Sequence, residues 1–321
     1  MKKKIIIVSG DPNSINSEII GKTWKKLNKN LKKKVYLIGN FKLLTNQYKK
    51  LKIKINLKKI ENLSNNIPEN YLKIIDLPLN FKNPFKVSLK NSSKYIINSL
   101  NLADKLIDNK NIKGFINCPI DKRLIKTNKI HGVTEFLGMK SKLKKSSEVM
   151  MLHNKKLSVV PITTHQNIKN VSDNISSKKI FKKVTILNSN FKKLFKKKPK
   201  IAILGLNPHN AELSKKSEEV TKIIPAVQKL KSKKFNVKGP FVADTFFMKD
   251  YKKYDVIVGM YHDQVLIPFK TLFKFDAINI TLGLNYIRVS PDHGTAINLI
   301  GKNKANYHSL LQCVKFINNL N

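Results

Sequence analysis

The chain has 321 residues, 41% hydrophobic and 8% aromatic, which excludes an intrinsically disordered polymer and leaves room for about two domains with cores of their own. Its formal net charge of +43 points first to a polyanion, but the basic residues are nearly all dispersed lysines, and Arg123 and Arg288 are the only arginines. Specific nucleic-acid sites gather arginine and aromatics in one patch or module, so only weak, salt-sensitive contact with polyanions is expected.

From the N-terminus, lysines followed by Ile5–Val8 imitate a signal peptide, but the apolar run is too short for one, and no stretch approaches a membrane span. Ile5–Val8 reads instead as a buried strand ending at Ser9-Gly10-Asp11-Pro12. A helix runs from Ser17-Glu18 to about Leu27, with Ile19, Ile20 and Trp24 on one face. Val35–Ile38 is the next strand. From about Leu43 to Val87 the lysine- and asparagine-rich sequence has weak periodicity and yields no assignment. Tyr95, Ile96, Leu100, Ala103, Leu106 and Ile107 recur at helical spacing, and Gly114–Pro119 is a strand closing on a turn. Later strands are predicted at Val149–Leu152, Leu157–Thr163, Ile201–Leu206 and Val256–Met260. Helices fall at Phe181–Leu194, at Glu219–Leu230 with Pro225 disturbing it, and at about Asn306–Leu320. Alternating strands and helices with no repeat and no Gly/Ser-rich linker predict an α/β protein of two interleaved domains. Cys118 and Cys313 make neither a disulfide framework nor a cysteine zinc motif, and a reducing cytoplasm fits.

Three histidines occupy equivalent places. His165 follows Ile162-Thr163-Thr164, His209 follows Leu204-Gly205-Leu206-Asn207-Pro208, and His262 follows Val258-Gly259-Met260-Tyr261. Each lies just past a predicted strand, where parallel sheets place ligand-binding groups. Three imidazoles with an open fourth position suit zinc or a similar divalent ion; one such histidine alone is more often a structural hydrogen-bonding residue. Asp244 and Asp263 add oxygen ligands or proton transfer, although Asp244, before a helical run, also suits a helix cap. In a lysine-rich chain, an arginine at 288 suggests a need for planar, bidentate contact with a carboxylate or phosphate. The structural alternative is pairing with Asp292.

These pieces occur together with Gly10-Asp11-Pro12, Thr134-Glu135-Phe136-Leu137, Ala243-Asp244-Thr245, Asn279-Ile280-Thr281-Leu282-Gly283-Leu284 and Asp292-His293-Gly294-Thr295-Ala296. In this order, over nearly the whole chain, they resemble the 4-hydroxythreonine-4-phosphate dehydrogenase family. The tail from His293 through Gly301-Lys302 and Ala305-Asn306 resembles the nucleotide-loop region of the wider isocitrate and isopropylmalate dehydrogenase group, which binds NAD without a G-x-G-x-x-G fingerprint. The resemblance implies two interleaved α/β/α domains with a cleft between them, residues 1–128 plus 296–321 forming the first and 129–295 the second. It implies His165, His209 and His262 as ligands of one divalent ion (zinc, magnesium or cobalt), contributed by two subunits of a homodimer. Substrate contacts would come from Thr134, Lys270, Asn279 and Arg288, catalytic groups from Asp244, Asp263 and Lys270, and contacts to NAD or NADP from His293, Gly294 and Thr295. The reaction implied is oxidation of a phosphorylated hydroxy amino acid, 4-phosphooxy-L-threonine, followed by decarboxylation, in pyridoxal 5′-phosphate biosynthesis.

Two features depart from the family pattern. Val133 stands where the family has histidine before the threonine, with His131 two residues earlier, and Ser14 and Asn16 replace the usual glycines of the opening turn. The first bears on the substrate, leaving a dehydrogenase of threonate or erythronate 4-phosphate as the alternative. Outside that family, the same histidines and aspartates also suit a metal-dependent hydrolase.

Overall fold

Short apolar runs bounded by turns become parallel strands in the first unit of the chain, which comprises Met1–Lys142 and Leu284–Leu320. The computed structural model describes residues 3–63, 67–125, 132–133, 136–137 and 148–320. The strands are β1 (Lys4–Val8), β2 (Val35–Gly39), β3 (Asn56–Ile60), β4 (Tyr71–Asp76), β5 (Ile112–Asn117) and, after the second unit, β12 (Arg288–Pro291). They lie in the order β3-β4-β2-β1-β5-β12 with every pair parallel. Strands buried on both faces need apolar residues at every position, and Ile5 to Val8 supply them. Ile6 and Val8 face the helix Leu89–Ile107 through Tyr95, Ile96, Leu100 and Ala103. β1 turns at Gly10, whose φ of +73° and close approach to the Cys118 and Pro119 carbonyls leave no room for a Cβ.

The second unit, Leu143–Gly283, is a mixed sheet. Its strands are β6 (Val149–His153), β7 (Ser158–Pro161), β8 (Ile201–Leu204), β9 (Val237–Phe241), β10 (Val256–Gly259) and β11 (Ile278–Leu282), in the order β11-β6-β7-β10-β8-β9. β11, β6 and β7 pair antiparallel, whereas β7, β10, β8 and β9 run parallel. The helix His262–Phe273 carries Pro268 in its interior. It persists because Val265, Leu266 and Phe269 are buried against β7, β8 and β10. At about 1.5–3 kcal/mol for each buried side chain, they outweigh the roughly 3 kcal/mol cost of an internal proline.

The chain thus leaves one α/β unit, builds a second and returns. The changeovers fall at Lys142/Leu143 and Gly283/Leu284, where the resemblance set them at 128/129 and 295/296, so Arg288, His293, Gly294 and Thr295 belong to the first unit. Among the described residues no helix is long and apolar enough to cross a membrane.

Candidate functional site

In the second unit, β7, β10 and β8 end side by side at Pro161, Gly259 and Leu204, and the segments that follow carry His165, His262 and His209. The rings of His165 and His262 lie 5.8 Å apart between centroids. His262 opens its helix, and its Nδ1–H donates to Asp263 Oδ1 at 2.6 Å. A carboxylate only accepts, so the Nε2 lone pair of the neutral ring is left for a ligand. A histidine backed by a carboxylate is the usual arrangement behind a metal-bound imidazole. His209 lies apart, in a run from His209 to Leu213 in which every residue has positive φ. Non-glycine residues pay about 1 kcal/mol or more each in that region, so this turn is held by its surroundings. Asn207 is clamped by Glu218 and Glu219, and the Asn210 amide donates to the Pro240 carbonyl.

The other predicted residues of this unit are scattered. Asp244, in the short helix Ala243–Phe246, accepts from the Thr245 N–H at 2.7 Å, a local turn contact. Lys270 is exposed on the helix begun by His262. Asn279, on β11, has a buried side-chain oxygen with no hydrogen-bond partner.

In the first unit, Arg288 is 3% exposed, and its Nε donates to Asn117 Oδ1 at 2.6 Å. Register makes this possible: Arg288 pairs with Phe115 on β5, which puts Asn117 on the same face one pleat further along. Asp11 is 4% exposed, and burial, ahead of any charged neighbour, raises its pKa. The loop after β12 is tied to the turn after β1 by a bond from Ile15 N–H to the Thr295 carbonyl at 3.2 Å. His293 Nδ1–H donates to the Gly294 carbonyl at 3.0 Å. The later part of the loop is latched by Lys22 and Glu18, which bond Asn303 and Ala305. Of the two positions that depart from family glycines, Ser14 Oγ bonds the Asp11 carbonyl and Asn16 Nδ2 the Pro119 carbonyl, so both side chains close the turn. Val133 packs on the apolar core of this unit; Thr134 and His131 lie outside the described residues.

The donor chemistry fits a divalent ion on the His165–His262 pair. Two imidazoles bound to one tetrahedral ion at about 2.1 Å per bond place ring centroids roughly 5 Å apart, close to the observed separation. Among the described residues no three His, Cys, Asp or Glu side chains of the one chain converge, so His209 does not complete the set within it. A dinucleotide fits the loop after β12. A Cβ built on Gly294 would meet nothing within 4 Å, and its φ lies outside the left-handed region. Neither packing nor conformation in the chain explains that glycine, whereas close approach by a ligand does.

Sequence reasoning missed Gln264, Thr163, Glu219 and Asn117, which hold the candidate groups from behind. Only Gln264 and Thr163 carried a signal, as neighbours of the histidines in their motifs.

A two-unit α/β chain with imidazoles at the parallel strand ends of one unit belongs to the isocitrate-dehydrogenase-like class of folds. An isocitrate dehydrogenase from Methylococcus capsulatus shares the fold alone, with a TM-score of 0.50 and 10% identity over 98% of this chain and 84% of its own. Within that class the family model described as "Pyridoxal phosphate biosynthetic protein PdxA" matches residues 30–317. The chain belongs to that family, whose members are oxidoreductases of pyridoxal phosphate biosynthesis. The 4-hydroxythreonine-4-phosphate dehydrogenase of Aquifex aeolicus is 39% identical over 100% of this chain and 99% of its own. The crystal structure of the enzyme of that name from Klebsiella pneumoniae superposes with a TM-score of 0.85 at 28% identity, covering 98% of each chain.

Proposed function

We propose that this protein oxidises 4-phosphooxy-L-threonine with NAD or NADP to 2-amino-3-oxo-4-phosphooxybutyrate, which loses CO2 to give 3-amino-2-oxopropyl phosphate. The observation that carries the reading is the His165–His262 pair, with Asp263 behind it, at the strand ends of a chain that matches the family over its length. His165, His209 and His262 would hold one divalent ion, zinc, magnesium or cobalt. Bound there, it supplies Lewis-acid polarisation of the substrate hydroxyl. Asp263 fixes the His262 tautomer. Lys270 and Arg288 neutralise the anionic ends of the substrate, Arg288 in the orientation that Asn117 imposes. Asn279 offers its unpartnered oxygen to a substrate donor, and Thr134 is assigned a substrate contact by its motif. His293, Gly294 and Thr295 would receive the nicotinamide cofactor, and Asp244 stays a candidate for proton transfer from the surface.

A second copy of the chain is the partner we propose. Ile168, Leu213, Met248 and Ile267 are exposed apolar side chains, each close in sequence to one of His165, His209, Asp244 and His262. Exposed apolar groups on the segments that carry the candidate polar residues suit a protein interface better than water. Two subunits would then share each site, with His209 reaching it from one subunit and the other imidazoles from its partner. The free, buried Cys118 and Cys313 suit the reducing cytoplasm.

Formation of reduced nicotinamide dependent on 4-phosphooxy-L-threonine and on added divalent ion tests the activity. No turnover with either nucleotide would overturn it, and preference for threonate or erythronate 4-phosphate would reassign the substrate. Sedimentation tests the dimer: a monomer at micromolar concentration would remove the second copy.

A further inference from the structure

Behind the three histidine-bearing segments lies a layer of polar contacts that joins the strand ends to one another. Gln264 stands two residues beyond His262. Its Oε1 accepts from the Met260 N–H at 2.7 Å and its Nε2 donates to the Gly205 carbonyl at 2.7 Å. Met260 follows β10 and leads to His262, and Gly205 follows β8 and leads to His209, so one amide spans two of the strand ends. Thr163, 2% exposed at the end of β7, grips Met260 from the other side. Both its Oγ1 and its backbone N–H donate to the Met260 carbonyl, at 2.7 and 3.1 Å. Thr163 leads to His165. The peptide groups of Met260 are therefore held on one side by the His165 segment and on the other by the residue that reaches the His209 segment.

The layer continues beyond Gly205. Glu219, fully buried, accepts from the N–H groups of Leu206 and Asn207 at 2.7 and 2.8 Å, and from the Asn207 amide at 2.9 Å. The glycines here are closely surrounded. A Cβ at Gly259 would come within 2.5 Å of Val265 Cγ1 and 2.9 Å of Gln264 Oε1, and one at Gly205 within 1.9 Å of Asn210 Oδ1 and 3.1 Å of Glu219 Oε1. Strand ends that open into loops do not hold side chains to the fraction of an ångström that ligation requires. Hydrogen bonds running between the loops do.

We propose that Gln264 is a positioning residue for ion binding. It anchors the His262 segment to the end of β8, Thr163 ties the His165 segment to the same Met260 peptide, and Glu219 holds the left-handed turn from which His209 would reach the partner subunit's ion. This rests on the reading of the three histidines as ligands. The amide is needed because one end must accept and the other donate. Gln264→Glu keeps the shape and the Met260 contact, but sets a carboxylate oxygen against the Gly205 carbonyl. Gln264→Met keeps the length and removes both contacts.

The test uses the full-length, metal-free protein and Co2+ alone, followed by titration calorimetry and by the visible absorption of the bound ion. Hydrogen exchange of the segment from Gly205 to Leu213 is measured before any ion is added. Gln264→Glu and Gln264→Met should weaken Co2+ binding about 10- to 100-fold, alter the visible bands and speed exchange in that segment. Thr163→Val, which removes only the hydroxyl contact, should weaken binding by less and serves if the other variants fail to fold. Unchanged affinity, spectrum and exchange in the Gln264 or Thr163 variants, while His209→Ala loses the ion, would overturn the proposal and leave the ligand reading standing. If the three His→Ala variants bind Co2+ as the unaltered protein does, the ligand reading falls and the proposal with it.

Discussion

In the first unit the groups suited to chemistry are enclosed; in the second they stand at the surface. Arg288, Asp11 and Lys73 are 3%, 4% and 1% exposed, whereas His165, His209, Asp244, Asp263 and Lys270 are mostly exposed. Each enclosed group is matched by neighbours of its own. Lys73 donates to the carbonyls of Lys32 and Lys33 at the end of the helix Lys29–Lys34, and lies 4.3 Å from the centre of the Tyr36 ring. Burial, and then Lys4, lowers its pKa to about 8. The exposed groups of the second unit are instead held from behind by Gln264, Thr163 and Glu219. Substitution should therefore act differently in the two units: on folding and function together in the first, and on ligand binding with little effect on folding in the second.

The largest effect expected from that contrast is at the histidines. His165→Ala, His209→Ala and His262→Ala should each lower bound-ion content to near background and kcat/KM by at least about 10³-fold, since an ion contributes several kcal/mol to such a transition state. Thermal midpoints of the metal-free proteins should barely move, because these side chains are not core. Metal analysis beside calorimetry checks both halves. Normal occupancy in one variant would remove that residue from the site, and a collapsed midpoint would break the contrast.

His153 is an exception in the second unit, a half-buried titratable group with neighbours of its own. Its Nδ1 meets Ser158 Oγ at 2.9 Å, and its ring lies 4.7 Å from that of Phe195. Burial, and secondarily Lys197, lowers its pKa from 6.5 to about 4. Between those values the unfolded chain takes up a proton that the native chain refuses, so this contribution is complete above pH 6.5 and lost as pH falls towards 4. The loss should reach about 2–3 kcal/mol. Urea unfolding at several pH values should show it, and His153→Phe should flatten the acid limb. An unchanged limb would mean that His153 is protonated in the native state.

Arg288→Lys tests the enclosed side. The ammonium cannot reproduce the fork, and it leaves Asn117 Oδ1 short of the 2.6 Å donor it now has. Loss of an oriented, charge-assisted contact costs about 2–3 kcal/mol, or roughly 30- to 150-fold in kcat/KM. A fall in the thermal midpoint should accompany it. A midpoint change with kcat/KM intact would make Arg288 structural only.

How much of this was legible in the sequence follows the same divide between apolar pattern and lysine bias. Strands such as Ile5–Val8 and Val256–Met260 declared themselves because every position is apolar. The strands β3 and β4 and the helix Phe41–Lys50 fell in the stretch that yielded no assignment. There the pattern is erased by lysine: Lys73 fills a buried place on β4 by turning its ammonium to helix carbonyls, and β3 reads Asn-Leu-Lys-Lys-Ile with one buried residue. The helix His262–Phe273 was hidden by Pro268, and Glu219–Leu230 opens as a π-helical turn before the α-helix that starts at Ile224-Pro225. The histidines could be found because strand ends are marked locally. The role of their supports could not, even where Gln264 and Thr163 stand beside the histidines, because Gln264 meets Gly205 across 59 positions, and that contact exists only in the folded sheet.

The smallest effect should come from Gly294→Ala, and it is the most discriminating because it probes an exposed feature of the otherwise enclosed unit. An added methyl there has nothing within 4 Å, and the φ is one that alanine tolerates. Folding should be unaffected or favoured by up to about 1 kcal/mol, since alanine restricts the unfolded chain. If a nucleotide passes close to this backbone, the methyl occupies its space, and KM for NAD should rise about 5- to 10-fold, near 1 kcal/mol. KM for the phosphorylated substrate should stay put. That split separates a cofactor loop from a loop that merely closes the fold: in the second case the nucleotide KM is unchanged, and His293, Gly294 and Thr295 lose their assignment.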